Sequence, residues 1–165
     1  MLSKYPDVND FVEFFAAGIV RVLKGNIAGI YLSGSLSYQA FSYHSSDIDL
    51  TVIVQRPVSR TELHALERFH GELTGQFEKW ATRFECSYTP LEMLPSLKPP
   101  REPRPWYWGG TDTLYAEAPF GNEWLINNYL LYEHGIALLG PSFSEIAPPV
   151  DVEEVQKACI RDLYE

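Results

Sequence analysis

No apolar run in the chain approaches the roughly 20 residues a membrane helix requires, and its first residues lack the basic-then-apolar layout of a secretory signal. A soluble protein of the cytosol is the expectation. Basic residues are scarce, with 13 Lys and Arg against 22 Asp and Glu and a formal charge of -9. Affinity for a nucleic-acid backbone needs clustered Lys and Arg, so this balance argues against it and suits a cationic small molecule better. Two cysteines, Cys86 and Cys159, form no metal-like spacing and no disulfide framework. Internal repeats are absent, and the one biased tract is 95–105, where five of eleven residues are proline. What remains is an ordinary globular composition. At 165 residues, 45% hydrophobic and 14% aromatic, the chain can bury a core as one domain.

Periodicity and punctuation predict an α/β order of elements. Asp7 is a candidate cap for a helix whose residues Val8, Phe11, Val12, Phe15, Ile19, Val22 and Leu23 fall at helical spacing up to Gly25. A short apolar run, 27–33, reads as a strand buried on both faces. One helical turn at 36–41 and a polar loop at 42–46, with His44 in solvent, lead to a second strand at 47–55. Ser59 and Glu62 form a capping box for a long helix carrying Leu63, Leu66, Phe69 or His70, Leu73, Phe77 and Trp80 on its buried stripe. His64 and His70 lie in it as packing or surface residues. A third strand covers 84–89. The proline run predicts a stiff loop in which neither helix nor ladder survives. Trp106, Tyr107 and Trp108 follow it directly, and two readings of them stand: a stacking platform for a base or sugar ring, or an anchor for the loop. Then come a helix at 123–134, a strand at 136–139 and, from Asp151, an amphipathic helix with Val152, Val155, Ala158, Cys159 and Leu163 on one stripe.

The chemistry concentrates in the second strand and its approach. Side chains alternate along a strand, so Asp47 and Asp49 leave by one face while Ile48, Leu50, Val52 and Val54 leave by the other. Two carboxylates held close repel each other unless a proton or a cation sits between them. A divalent metal is the natural occupant. Gly34-Ser35, ending the first strand and separated from Asp47 by eleven residues, offers backbone donors suited to a phosphate that bridges to such a metal. Glu85, on the strand face it shares with Ser87 and Thr89, is the candidate third carboxylate; a lone Glu there reads by default as an exposed strand residue, and the company of Asp47 and Asp49 on neighbouring strands raises it.

The conjunction of a strand ending in Gly-Ser, a loop of about ten residues, then carboxylate, apolar residue, carboxylate resembles the nucleotidyltransferase superfamily that includes DNA polymerase β. Within it the sequence is similar to the streptomycin/spectinomycin (aminoglycoside) adenylyltransferases. The residues that carry the likeness are Leu32-Ser33-Gly34-Ser35, Ser45-Ser46-Asp47-Ile48-Asp49-Leu50 and Glu133-His134-Gly135-Ile136-Ala137-Leu138-Leu139-Gly140-Pro141. The loop 38–44 departs from the family in lacking its usual glycines and lysine.

The resemblance implies a mixed β-sheet with flanking helices: a nucleotidyltransferase domain at 1–145, then the start of a C-terminal helical region, cut short, at 146–165. It also implies that Asp47, Asp49 and Glu85 are catalytic and bind magnesium, and that Gly34, Ser35 and Ser46 hold the nucleotide triphosphate. The implied reaction moves AMP from ATP to a hydroxyl of a small acceptor, an aminoglycoside in the antibiotic-resistance version, and releases pyrophosphate. An alternative stays open beside it, a minimal nucleotidyltransferase serving as the antitoxin-like half of a two-protein system. The helical partner would then be a separate protein rather than a further domain.

Overall fold

The computed structural model describes residues 2–164. The first helix, α1 (Pro6–Val22), opens on a proline at N1, where the missing N–H is one the helix would leave unpaired anyway. Tyr5 rather than Asp7 is the cap residue, and it makes no side-chain cap bond. Asp7 has other partners: its carboxylate accepts from the Tyr43 hydroxyl at 2.7 Å and the Trp80 indole at 2.9 Å, tying α1 to the loop before the second strand. Val8, Phe11, Phe15 and Ile19 are fully buried, so the aromatic stripe of α1 is core.

Strand β1 (Ile27–Ser33) ends in a single 3-10 turn, Gly34–Leu36, two residues earlier than the sequence suggests. Strand β2 (Ile48–Val54) follows, then α2 (Arg60–Gln76), whose Ser59–Glu62 capping box is present in full. The long helix breaks at Phe77, and α3 (Glu78–Ala81) carries the buried Trp80. Next are β3 (Phe84–Pro90), a 3-10 turn at Leu91–Met93, β4 (Arg104–Trp108) and β5 (Thr113–Ala118). Helix α4 (Glu123–His134) and β6 (Ile136–Leu139) fall where periodicity puts them, followed by α5 (Phe143–Ile146) and α6 (Val152–Tyr164).

The β4–β5 hairpin corrects the reading of the proline run. A ladder does survive, because Pro105 sits where the β4–β5 register shifts between Arg104 and Trp106, a bulge that tolerates a residue without an N–H. The six strands form one mixed sheet in the order β5-β4-β3-β2-β1-β6. Only β2 and β3, joined by the α2–α3 crossover, run parallel; the other pairs are antiparallel.

Each sheet face has its own core. Ile30, Leu32, Ile48, Leu50, Val52, Val54, Phe84 and Cys86 pack with α1 and α2 on one face. Tyr31 and Ile53 pack with Trp124, Leu125 and Leu131 of α4, Phe143 of α5 and Ala158 of α6 on the other. His70 belongs to the first core, stacked on Tyr107 at 4.3 Å and bonded to the Tyr88 hydroxyl at 2.7 Å. Of the expected α6 stripe only Val155 and Ala158 are buried, while Val152 and Leu163 are 52% and 80% exposed. Among the described residues no helix is long and apolar enough to cross a membrane.

Candidate active site

The second face of the sheet is only partly covered by α4, and the gap beside it is a cleft of ≈ 460 Å³. Its floor is polar because strand alternation makes it so. Asp49 and Thr51 of β2 and Glu85, Ser87 and Thr89 of β3 all line it, while their neighbours in sequence point into the first core. Asp49 and Glu85 are direct partners across the parallel β2–β3 ladder. Adjacent strands lie about 4.8 Å apart, so the two carboxylates are anchored side by side.

Gly34 closes the opposite wall. Ser33 pairs with Asp49 across β1 and β2, and the chain then turns at Gly34 with φ +70°. A Cβ there would stand 2.1 Å from Asp49 Oδ2. Glycine is therefore required twice at this position, by the backbone conformation and by the carboxylate packed against it. Ser37 donates through its N–H and its hydroxyl to the Gly34 carbonyl, at 3.0 and 2.7 Å, which fixes the turn.

Ser35, Ser46 and Asp47 line the same cleft. Ser46 Oγ accepts from the Ser42 N–H at 2.8 Å and so closes the loop that delivers Asp47. Asp47 lies one residue ahead of β2 rather than within it, and its side chain is 65% exposed. The loop is clamped from outside by Arg83, which donates to the carbonyls of Tyr43 at 3.0 Å and of Ser46, and lies 4.0 Å from Asp47 Oδ1. The Arg83 guanidinium in turn rests over the Trp80 ring at 4.6 Å.

Burial first, then the charges of Glu85 and Asp47, push the Asp49 carboxyl up to about 7. This is the electrostatic condition a divalent cation relieves, and the hard oxygen donors of all three residues fit magnesium. In this conformation, among the described residues, no three acidic, His or Cys side chains converge on one point. Asp47 turns toward Arg83, and Glu85 Oε1 accepts from the Trp106 indole N–H at 3.1 Å.

Several cleft residues lie outside the sequence reading. Arg104, nearly fully buried, donates from Nε to Ser87 Oγ at 2.9 Å and from Nη1 to the carbonyls of Ala118 at 3.2 Å and Pro119 at 2.7 Å. It stacks over Phe120 at 4.1 Å, and burial lowers its pKa. Glu123, Asn127 and the buried Asn128 supply the α4 wall. The Asn127-Asn128 pair inside an otherwise apolar helix was the available signal. Arg104 gave none, since it sits in the proline run.

A scan of protein-family models finds none that matches the chain, and a search among curated proteins likewise finds none. Comparison with solved structures is informative. The crystal structure of spectinomycin adenyltransferase AAD(9) from Enterococcus faecialis with ATP and spectinomycin superimposes with a TM-score of 0.75 at 16% identity, over 93% of this chain. The fold is that of a nucleotidyltransferase. The chain spans 65% of the length of that neighbour. A toxin–antitoxin structure with AMP-PNP also matches, at 15% identity over 90% of this chain and 98% of its own, but with a TM-score of 0.42. That value lies below the level at which a shared fold is read. The mixed sheet expected from the sequence is thus observed, with the Gly34 turn, Asp49 and Glu85 brought together in the lining of one cleft.

Proposed function

We propose that the chain is a magnesium-dependent nucleotidyltransferase that moves AMP from ATP to a hydroxyl of a small acceptor, aminoglycosides included, with pyrophosphate as the second product. The observation that carries this reading is the pairing of Asp49 with Glu85 across β2 and β3, with Gly34 turned against Asp49. ATP and spectinomycin together in the AAD(9) structure support the choice of donor and acceptor class.

Asp47, Asp49 and Glu85 would hold magnesium, which when bound spreads the negative charge that grows on the departing pyrophosphate. The chain's own residues do the rest. Gly34, Ser35 and Ser46 receive the triphosphate on the side of the cleft opposite β3. Glu85, on the strand that pairs with β4, takes the hydroxyl proton as the acceptor oxygen bonds to the α-phosphorus. The bond from that phosphorus to the bridging oxygen breaks, and the pyrophosphate keeps the electron pair.

The test uses ATP labelled at the α-phosphate, with magnesium and either spectinomycin or streptomycin. Label on the drug, dependent on magnesium and lost in Asp49→Asn, is the expected result. Calorimetric binding of ATP and magnesium without any label transfer to a hydroxylated acceptor sinks the transferase reading.

A further inference from the structure

Helix α4 is apolar along the face it turns to the sheet, with one exception. Trp124, Asn128 and Leu131 follow one another at helical spacing and all three are buried, the two apolar residues as members of the second core. Asn128 is 7% exposed and lines the cleft, and its side-chain amide has no hydrogen-bond partner among the described residues. An amide withdrawn from water without a partner weakens a fold, so a Leu at this position would serve packing better. The donor and the acceptor of Asn128 are left for a molecule that enters the cleft.

The β3 floor holds a second unused group. Arg104 can only donate, so Ser87 Oγ accepts from its Nε at 2.9 Å. Ser87 Oγ and Thr89 Oγ1 lie 2.9 Å apart and share a hydrogen bond, which uses one of their two hydroxyl hydrogens. The other has no acceptor among the described residues. The charge of Arg104 is met by the nearby carboxylates of Glu123 and Glu85, so this end of the cleft suits a neutral hydrogen-bonding group better than an ion. Phe120, under the Arg104 guanidinium and edge-on to Trp124 at 4.8 Å, gives it an aromatic wall. Trp106, Tyr107 and Trp108 stand outside the lining. Thr89 is four residues along β3 from Glu85, about 13 Å at the rise of a strand, and a nucleoside whose 5′ phosphate lies at the Asp49–Glu85 pair reaches that far with its base.

We infer that the inner end of the cleft is the base pocket for the nucleotide and that Asn128 selects adenine. This rests on the nucleotidyltransferase reading above. An Asn amide matches the adjacent donor and acceptor of adenine, its amino group and N7. Guanine shows two acceptors on that edge, which leaves the carbonyl of Asn128 unpaired. The spare hydroxyl hydrogen of the Ser87–Thr89 pair is then available to another ring nitrogen of the base.

Titration calorimetry with magnesium and no acceptor compares ATP, GTP and purine riboside triphosphate, which lacks the amino group. Wild-type protein is expected to bind ATP about tenfold more tightly than either of the others. In Asn128→Leu the three should bind within about threefold of one another, and Asn128→Asp, whose carboxylate only accepts, should bind ATP about tenfold more weakly than wild type. A Tm for Asn128→Leu at or above that of wild type shows that the preference, not the fold, was lost. Wild-type protein that binds no nucleotide, or binds all three alike, overturns the pocket, and the purine riboside comparison decides this without any variant. Asn128→Leu that keeps the wild-type preference overturns the role of Asn128. Absence of AMP transfer to any acceptor while these preferences hold strikes the transferase reading alone.

Discussion

Asp49→Asn isolates the electrostatics of the carboxylate pair. In the folded protein without metal, burial and the charges of Glu85 and Asp47 raise the Asp49 pKa to about 7, whereas an Asp in the unfolded chain titrates near 3.8. The folded state therefore holds a proton that the unfolded state has given up between these values. A raised folded pKa means stability that is fully present below about pH 4 and is lost as pH climbs through 7. The loss amounts to about 1.4 kcal/mol per pH unit across the window, or about 4 kcal/mol in all. For a domain of this size about 2–4 °C of Tm accompanies each kcal/mol, so the shift is about 8–16 °C. Asn keeps the shape of the protonated side chain and does not titrate. Thermal melts in EDTA from pH 4 to 9 should show the variant gaining 8–16 °C on the wild type by pH 8, and then no further. Magnesium at millimolar concentration should raise the wild-type Tm at pH 8 and leave the variant unmoved. A Tm difference independent of pH would refute the placement of Asp49 against Glu85 in a buried pair.

Two further perturbations address the framework of the site. Gly34→Ala forces a side chain into the left-handed region and onto Asp49 Oδ2, so urea unfolding should show a loss of about 2 kcal/mol, and calorimetry should show loss of magnesium-dependent ATP binding. Arg83→Met keeps an aliphatic stem against Trp80 but removes the bonds to the carbonyls of Tyr43 and Ser46. It should raise the KM for ATP about tenfold with a stability loss of only about 1–2 kcal/mol, and amide exchange at 42–47 should quicken; unchanged exchange there would count against the clamp.

What the sequence made legible follows from how local each signal is. The Ser59 cap, the alternation in β2 and β3, and the bounds of α4 and β6 depend on neighbours in the chain, and they read correctly. Asp7 read as a cap because its type and position suit one, yet its partners Tyr43 and Trp80 come from 36 and 73 residues away, and these contacts override the local preference. The break at Phe77 is likewise tertiary: its ring packs against Phe11 and Phe14 of α1 while the chain turns to seat Trp80. Proline density hid β4, since a bulge that accommodates Pro105 cannot be seen without its partner β5. Arg104 entered the cleft unannounced for the same reason. Asp49 and Glu85 were recognisable as carboxylates, but their adjacency depended on β2 and β3 being parallel neighbours, a matter of topology.

That parallel ladder also limits how the chain can vary in length. In β3 the polar set Glu85, Ser87 and Thr89 alternates with Phe84, Cys86 and Tyr88. One residue inserted within the strand would exchange the sets, placing a thiol and two aromatic rings in the cleft and three polar groups against α1 and α2. The same holds for Asp49 within β2. Insertions and deletions in related chains should therefore gather in 36–46 and 95–103, where loop can absorb them, while 48–54 and 84–90 keep a fixed length even where every apolar residue in them has been replaced by another.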